Sequence, residues 1–136
     1  LSLGASAVQM GTRFIGTHEC DTSDKMKQMI INSTKDTIKL FKSPVGYPAR
    51  GVKSELHRRI EEGTAPKVAC ISNCVAPCKR GVEAKQVGYC IADRLSDAYD
   101  GIVETGLFFT GANGYRLNEI ISVKELIDKL MNGEDS

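Results

Sequence analysis

The run Ala5-Ser-Ala-Val-Gln-Met-Gly-Thr-Arg-Phe14 decides how the rest of the chain is read. Ala7 to Met10 reads as a short buried strand that runs into Gly11 and Thr12. A strand ending this way presents bare backbone N–H groups and one hydroxyl donor. That chemistry suits an anion, and α/β proteins place their ligands at the carboxyl ends of strands. Gly-Thr also serves merely to turn a chain, so the residues alone leave both readings open.

Working outward, the 136 residues are enough for one domain with its own core. Hydrophobic content is 41%, charged content 26% and net charge +1. Lys and Arg are scattered, Trp is absent and no basic run alternates with aromatics, which argues against a nucleic-acid partner. No apolar run approaches the ~18 residues that cross a bilayer. Five cysteines and no export signal point to a reduced, cytoplasmic setting in which a disulfide framework is not expected. The chain opens at Leu1, and Leu1-Ser-Leu-Gly4 reads as the last turn of a helix closed by glycine, so a piece of a longer protein is expected.

Downstream, Ser23 to Ile31 is expected to be a helix capped by Thr22 or Ser23, with Met26, Met29 and Ile30 on its buried side. Ile38 to Lys42 reads as extended, and Ser43 to Pro48 as a turn. Val52, Leu56 and Ile60 predict an amphipathic helix over 51–62 stopped by Gly63. Residues 64–80 read as a loop, and 86–99 as one helix with Ile91, Leu95, Ala98 and Tyr99 on one side. Residues 106–111 are too short an apolar run for a helix. Ser122-Val-Lys-Glu125 is a capping box, with Ile121 and Leu126 as a staple. It opens a last helix whose stripe is Leu126, Ile127, Leu130 and Met131. One strand, a second extended run and about four helices result. A lone strand of parallel type needs neighbours, expected before Leu1.

Residues 3–14, with Val-Gln-Met-Gly-Thr-Arg-Phe as their most specific part, resemble the last barrel strand of the nitronate monooxygenase family, formerly 2-nitropropane dioxygenases. That family includes the flavin-dependent enoyl-ACP reductases. The resemblance continues through Thr17-x-Glu19, a Lys-bearing helix, Pro48-Ala-Arg50 and Val52-Lys-Ser-Glu55. It also takes in Tyr89-Cys-Ile-Ala92, Gly106 to Arg116 and Ser122-Val-Lys-Glu-Leu126. It implies an α/β fold: the C-terminal part of an FMN-binding TIM barrel, with its last strand and helix in residues 1–42. Residues 43–136 would be a mainly helical extension carrying the Cys-bearing loop. A whole barrel takes about 250 residues.

By the same resemblance, Met10, Gly11 and Thr12 would hold the FMN phosphate, and Asn113 would sit near the flavin. The family's Gly-Gly phosphate loop and catalytic histidine are expected upstream, because His18 and His57 do not match its motif. Asn113 either bonds ring or substrate, or is there because Asn tolerates tight turns. The implied reaction is flavin- and oxygen-dependent oxidation of alkyl nitronates, so the partner the resemblance implies is a small-molecule substrate. The alternative is reduction of an enoyl thioester by NAD(P)H through the flavin.

Cys70, Cys74, Cys78 and Cys90 form C-x3-C-x3-C-x11-C. They are candidate ligands for an iron–sulfur cluster or zinc, or else small half-buried loop residues. The spacing matches neither the usual zinc pairs nor the bacterial ferredoxin run. A non-catalytic metal or redox module therefore stands as a rival from another class.

Overall fold

The computed structural model describes residues 3–75, 78–79 and 82–134. In chain order its elements are α1 (Thr12–Ile15), α2 (Asp24–Ile31), β1 (Ile38–Phe41), β2 (Ala49–Val52), α3 (Glu55–Glu61), α4 (Val82–Val87), α5 (Ile91–Tyr99), β3 (Phe108–Phe109) and α6 (Val123–Asn132), with a 3-10 turn at Gly114–Arg116.

Hydroxyl caps fix the two best-defined helix starts. Ser23 Oγ accepts from Met26 N–H at 3.3 Å and opens α2. Ser122 Oγ accepts from Glu125 N–H at 3.1 Å and opens α6. Each satisfies a donor that has no partner within its own helix. Gly133 closes α6 in the left-handed conformation.

The three strands form one antiparallel sheet in the order β1-β2-β3. Val52 pairs with Phe108 across the sheet. Both are buried and pack with Ala98 of α5 and with Met26 and Met29 of α2. Phe109 alternates away from Phe108 and joins Phe41, Leu56, Leu107 and Tyr89, with Ile60, Ile91 and Leu95 around them. Two apolar layers thus clasp the sheet. The Tyr89 hydroxyl donates to Lys42 C=O at 2.6 Å, tying the segment between α4 and α5 to the end of β1.

A separate contact joins the two ends of the described chain. Thr17 forms a parallel bridge with Ile121. His18 N–H donates to Ile121 C=O at 3.0 Å, and Ile121 N–H donates to Gly16 C=O at 3.2 Å. Both Glu19 carboxylate oxygens accept from Val123 N–H, at 2.9 and 3.0 Å. Glu19 thereby puts a negative charge at the start of α6, where the helix dipole favours it. Lys27, 4% exposed, reaches from α2 and donates to Thr17 C=O at 2.8 Å. Gly16 lies so close to Leu117 that a Cβ would collide with that side chain.

Several expectations change. Residues 7–10 form no strand: they pair with no other described segment, and Val8 is 70% exposed. Backbone groups without a neighbouring strand have nothing to form a ladder with. The helix expected from 51 begins at Glu55, because residues 49–52 are taken up as the central strand. The helix expected over 86–99 is broken at Gly88, whose φ of +94° no helix accommodates. In α6, Leu126 is fully buried, but Ile127 and Met131 are exposed, so the buried stripe is narrower than the pattern implied. The helix end read at residues 1–4 involves Leu1 and Ser2, which lie outside the described residues, as do residues 76, 77 and 80 of the loop expected over 64–80.

His57, in the first turn of α3, accepts from Ser54 N–H through Nδ1 at 3.1 Å and packs on Phe41 with ring centroids 4.4 Å apart. The neutral ring therefore carries its proton on Nε2. Burial, and then the charge of Lys53, hold its pKa below 6.5, against the opposing pull of Glu61. Because the folded pKa is the lower one, the unfolded chain takes up the proton first. The stability this group confers is complete above its unfolded value and is lost as pH falls through the folded one. His57→Gln keeps a side-chain acceptor for the cap while removing the titration. Urea denaturation between about pH 5 and 7 should show a steeper acid-side loss of stability in the wild type than in His57→Gln. Equal slopes would contradict this account.

Candidate functional site

The contact between residues 16–19 and 121–123 places the residues just before it, Met10 to Arg13, beside the 3-10 turn and the residues that lead into it. α1 begins at Thr12, and the turn at 111–117 lies beside it. Gly111 N–H donates to Thr12 Oγ1 at 2.9 Å, a bond across 99 residues of sequence. The turn holds its own shape through Gly114 N–H to Gly111 C=O, Arg116 N–H to Asn113 C=O and Leu117 N–H to Gly114 C=O, each 3.0 Å. Gly114 packs so tightly on Thr110 that a side chain there would collide with it.

Between these segments is a cavity of about 430 Å³. Met10, Gly11, Thr12 and Asn113, the residues singled out in the sequence, all border it. Its volume is in the range of small-molecule sites. Leu117 and Leu130 supply an apolar wall, Arg13 and Arg116 supply positive charge, and no Asp or Glu is among the bordering residues. Arg13 is held near Glu119, at 3.7 Å. Glu119 in turn accepts from Lys129 at 2.7 Å.

Two of the bordering side chains have bonding capacity to spare. Thr12 Oγ1 accepts from Gly111 and keeps its own proton to donate. Asn113 is exposed, and its φ of −101° is ordinary backbone, so left-handed tolerance does not account for Asn at this position. An added Cβ at Gly11 would meet nothing within 4 Å. Together the residues offer an anion a positive, partly apolar recess with hydroxyl and amide donors. A phosphorylated flavin fits such a donor set. Arg13, Arg116, Leu117 and Leu130 were not expected at the site from the sequence, where Leu130 is part of the apolar stripe of the last helix. The two arginines end Gly11-Thr-Arg13 and Gly114-Tyr-Arg116, within the segments that carry the family resemblance, and that was the available signal.

The cysteines are arranged otherwise. Cys78 and Cys90 are buried with Ala84 in an apolar cluster against which Cys74 and Val68 pack. Cys70 is exposed and Cys20 half-buried. Among the described residues no group of three or more Cys, His, Asp or Glu is placed to hold a metal ion. Neither histidine borders the cavity. Among the described residues no helix is long and apolar enough to cross a membrane.

Comparison with known proteins gives a consistent picture. The sequence model of the nitronate monooxygenase family matches residues 1–133. The solved structure of FabK from Thermotoga maritima superposes with a TM-score of 0.70 at 26% identity, covering 98% of this chain and 38% of that one. Its M276A mutant gives a TM-score of 0.68 at 25% identity, with 98% and 35% covered. The chain thus spans a little over a third of the length of these structures. No curated protein matches it.

Thr12 should matter to the cavity before any ligand arrives. Thr12→Val removes the acceptor of Gly111 N–H and should cost about 1 kcal/mol of stability, while Thr12→Ser should cost less. Hydrogen exchange at the Gly111 amide should quicken in the valine variant only. Unchanged exchange in both variants would remove the bond from the account.

Proposed function

The chain belongs to the nitronate monooxygenase family, and on that premise we propose that it forms part of an FMN-dependent oxidoreductase that oxidises alkyl nitronates with oxygen. The observation that carries the reading is that Met10, Gly11, Thr12 and Asn113 border one cavity, together with two arginines and, among the described residues, no Asp or Glu at its border. Residues 1–42 would then be the end of a barrel and residues 43–136 its extension.

In this reading Gly11 and Thr12 hold the phosphate end of FMN. The Thr12 hydroxyl donates to it while its oxygen keeps the Gly111 turn in place. The missing side chain at Gly11 leaves room for the ligand to approach the backbone. Asn113 offers both amide donors and a carbonyl acceptor from the facing turn. Leu117 and Leu130 keep water from one wall, which strengthens polar contacts made inside. When bound, FMN supplies the redox chemistry, and the protein supplies position and electrostatics. The metal or redox module centred on the cysteines has less support, since the thiols that come together do so in an apolar cluster.

A second reading is favoured by the superposition on FabK. In it the same residues, Gly11, Thr12 and Asn113, would hold a flavin that supplies the redox chemistry for reduction of an unsaturated acyl thioester by NAD(P)H, as the resemblance to the enoyl-ACP reductases implies. Assays on the full-length protein separate the two. Nitronate oxidation predicts stoichiometric FMN in the purified protein, and oxygen uptake on adding an alkyl nitronate without NAD(P)H. Anaerobic oxidation of NAD(P)H on adding an enoyl thioester, with no turnover of nitronate, would select the second reading. A purified protein that neither carries nor takes up flavin would contradict both.

A further inference from the structure

Of the two arginines at the cavity, only Arg116 has its charge uncommitted. Arg13 has a side chain that is 16% exposed and lies near Glu119. Arg116 is exposed, and among the described residues no carboxylate pairs with it. Its backbone is nevertheless fixed. It ends the 3-10 turn whose hydrogen bonds run from Gly111 to Leu117, and that turn is bonded to Thr12. A cation on a rigid support therefore faces the same recess as Gly11 and Thr12, with no acidic residue bordering it among the described residues. A guanidinium suits this place better than an ammonium, because its planar fork can give two parallel hydrogen bonds to a phosphate. The apolar wall of Leu117 and Leu130 limits screening of that charge by water.

We propose that Arg116 reads the phosphate of the flavin and sets the preference of the site for a phosphorylated over an unphosphorylated flavin. This rests on the flavin reading above and adds to it a specificity-determining residue. Riboflavin shares the ring and lacks the phosphate, so it offers Arg116 nothing to pair with. The contribution of Arg116 is then confined to FMN, and it weakens as salt screens the pair.

The test is equilibrium binding of FMN and of riboflavin to the full-length apoprotein, followed by quenching of flavin fluorescence. Arg116→Gln should weaken FMN binding about tenfold and leave riboflavin binding unchanged, and Arg116→Lys should fall between wild type and Arg116→Gln. The salt dependence of FMN binding should also become shallower in Arg116→Gln. Equal weakening for both flavins, or no weakening for either, would overturn the assignment of Arg116 and leave the flavin reading standing. A wild-type protein that takes up neither flavin would overturn the flavin reading and this inference with it.

Discussion

The pairing of Gly16–Glu19 with Ile121–Val123 is the contact on which the site depends. It joins segments about a hundred residues apart through backbone bonds at Gly16, His18 and Ile121 and the carboxylate of Glu19 on Val123 N–H. Closing so long a loop costs only slightly more entropy than closing one of half the length. A few bonds in a well-packed setting are therefore enough to hold it. Gly16 against Leu117 and Lys27 on Thr17 C=O provide that setting. Once the ends are joined, Thr12 and Gly111 come within hydrogen-bond distance, and the cavity forms between them. The Thr17-x-Glu19 element of the sequence therefore has a plain physical role: it docks α6.

What could be read from the sequence divides along the range of the interactions involved. Ser23 before Asp24, Ser122 before Val123 and Gly133 after Asn132 are local signals, and all three mark real helix ends. The central strand, Ala49–Val52, gave no such signal. Its identity comes from pairing with Ile38–Phe41 on one side and Phe108–Phe109 on the other. Val52, Leu56 and Ile60 share a helical spacing, yet Val52 belongs to the strand and only Leu56 and Ile60 to the helix, although all three pack into the core. The opposite holds at Ala7–Met10, where the composition favours a strand and none forms. Strand-like residues there have no described neighbour to pair with and remain exposed.

The site was legible in a different way. Met10, Gly11, Thr12 and Asn113 were named from a resemblance, and they come to border one cavity. Their common placement follows from the chain-end contact, which no local pattern announces. The arginines stayed hidden because scattered basic residues look alike in sequence. Only the arrangement in space shows that Arg13 and Arg116 share a recess bordered, among the described residues, by no Asp or Glu. Thr12 also gained a role that its residue type alone did not suggest. Its oxygen fastens the opposite turn, and its proton remains for a ligand.

Whether this cavity is where the flavin phosphate sits is the central claim, and Gly11 offers the most direct way to test it. Its φ of −130° is open to any residue, and an added Cβ would meet nothing within 4 Å. A larger side chain there would fill the recess without straining the backbone. The measurement is the flavin content of Gly11→Leu in the full-length protein, alongside its thermal unfolding midpoint. The account predicts an unfolding midpoint, compared in the flavin-free state, close to that of wild type, with FMN occupancy largely lost. A folded Gly11→Leu protein that carries as much FMN as wild type would contradict it.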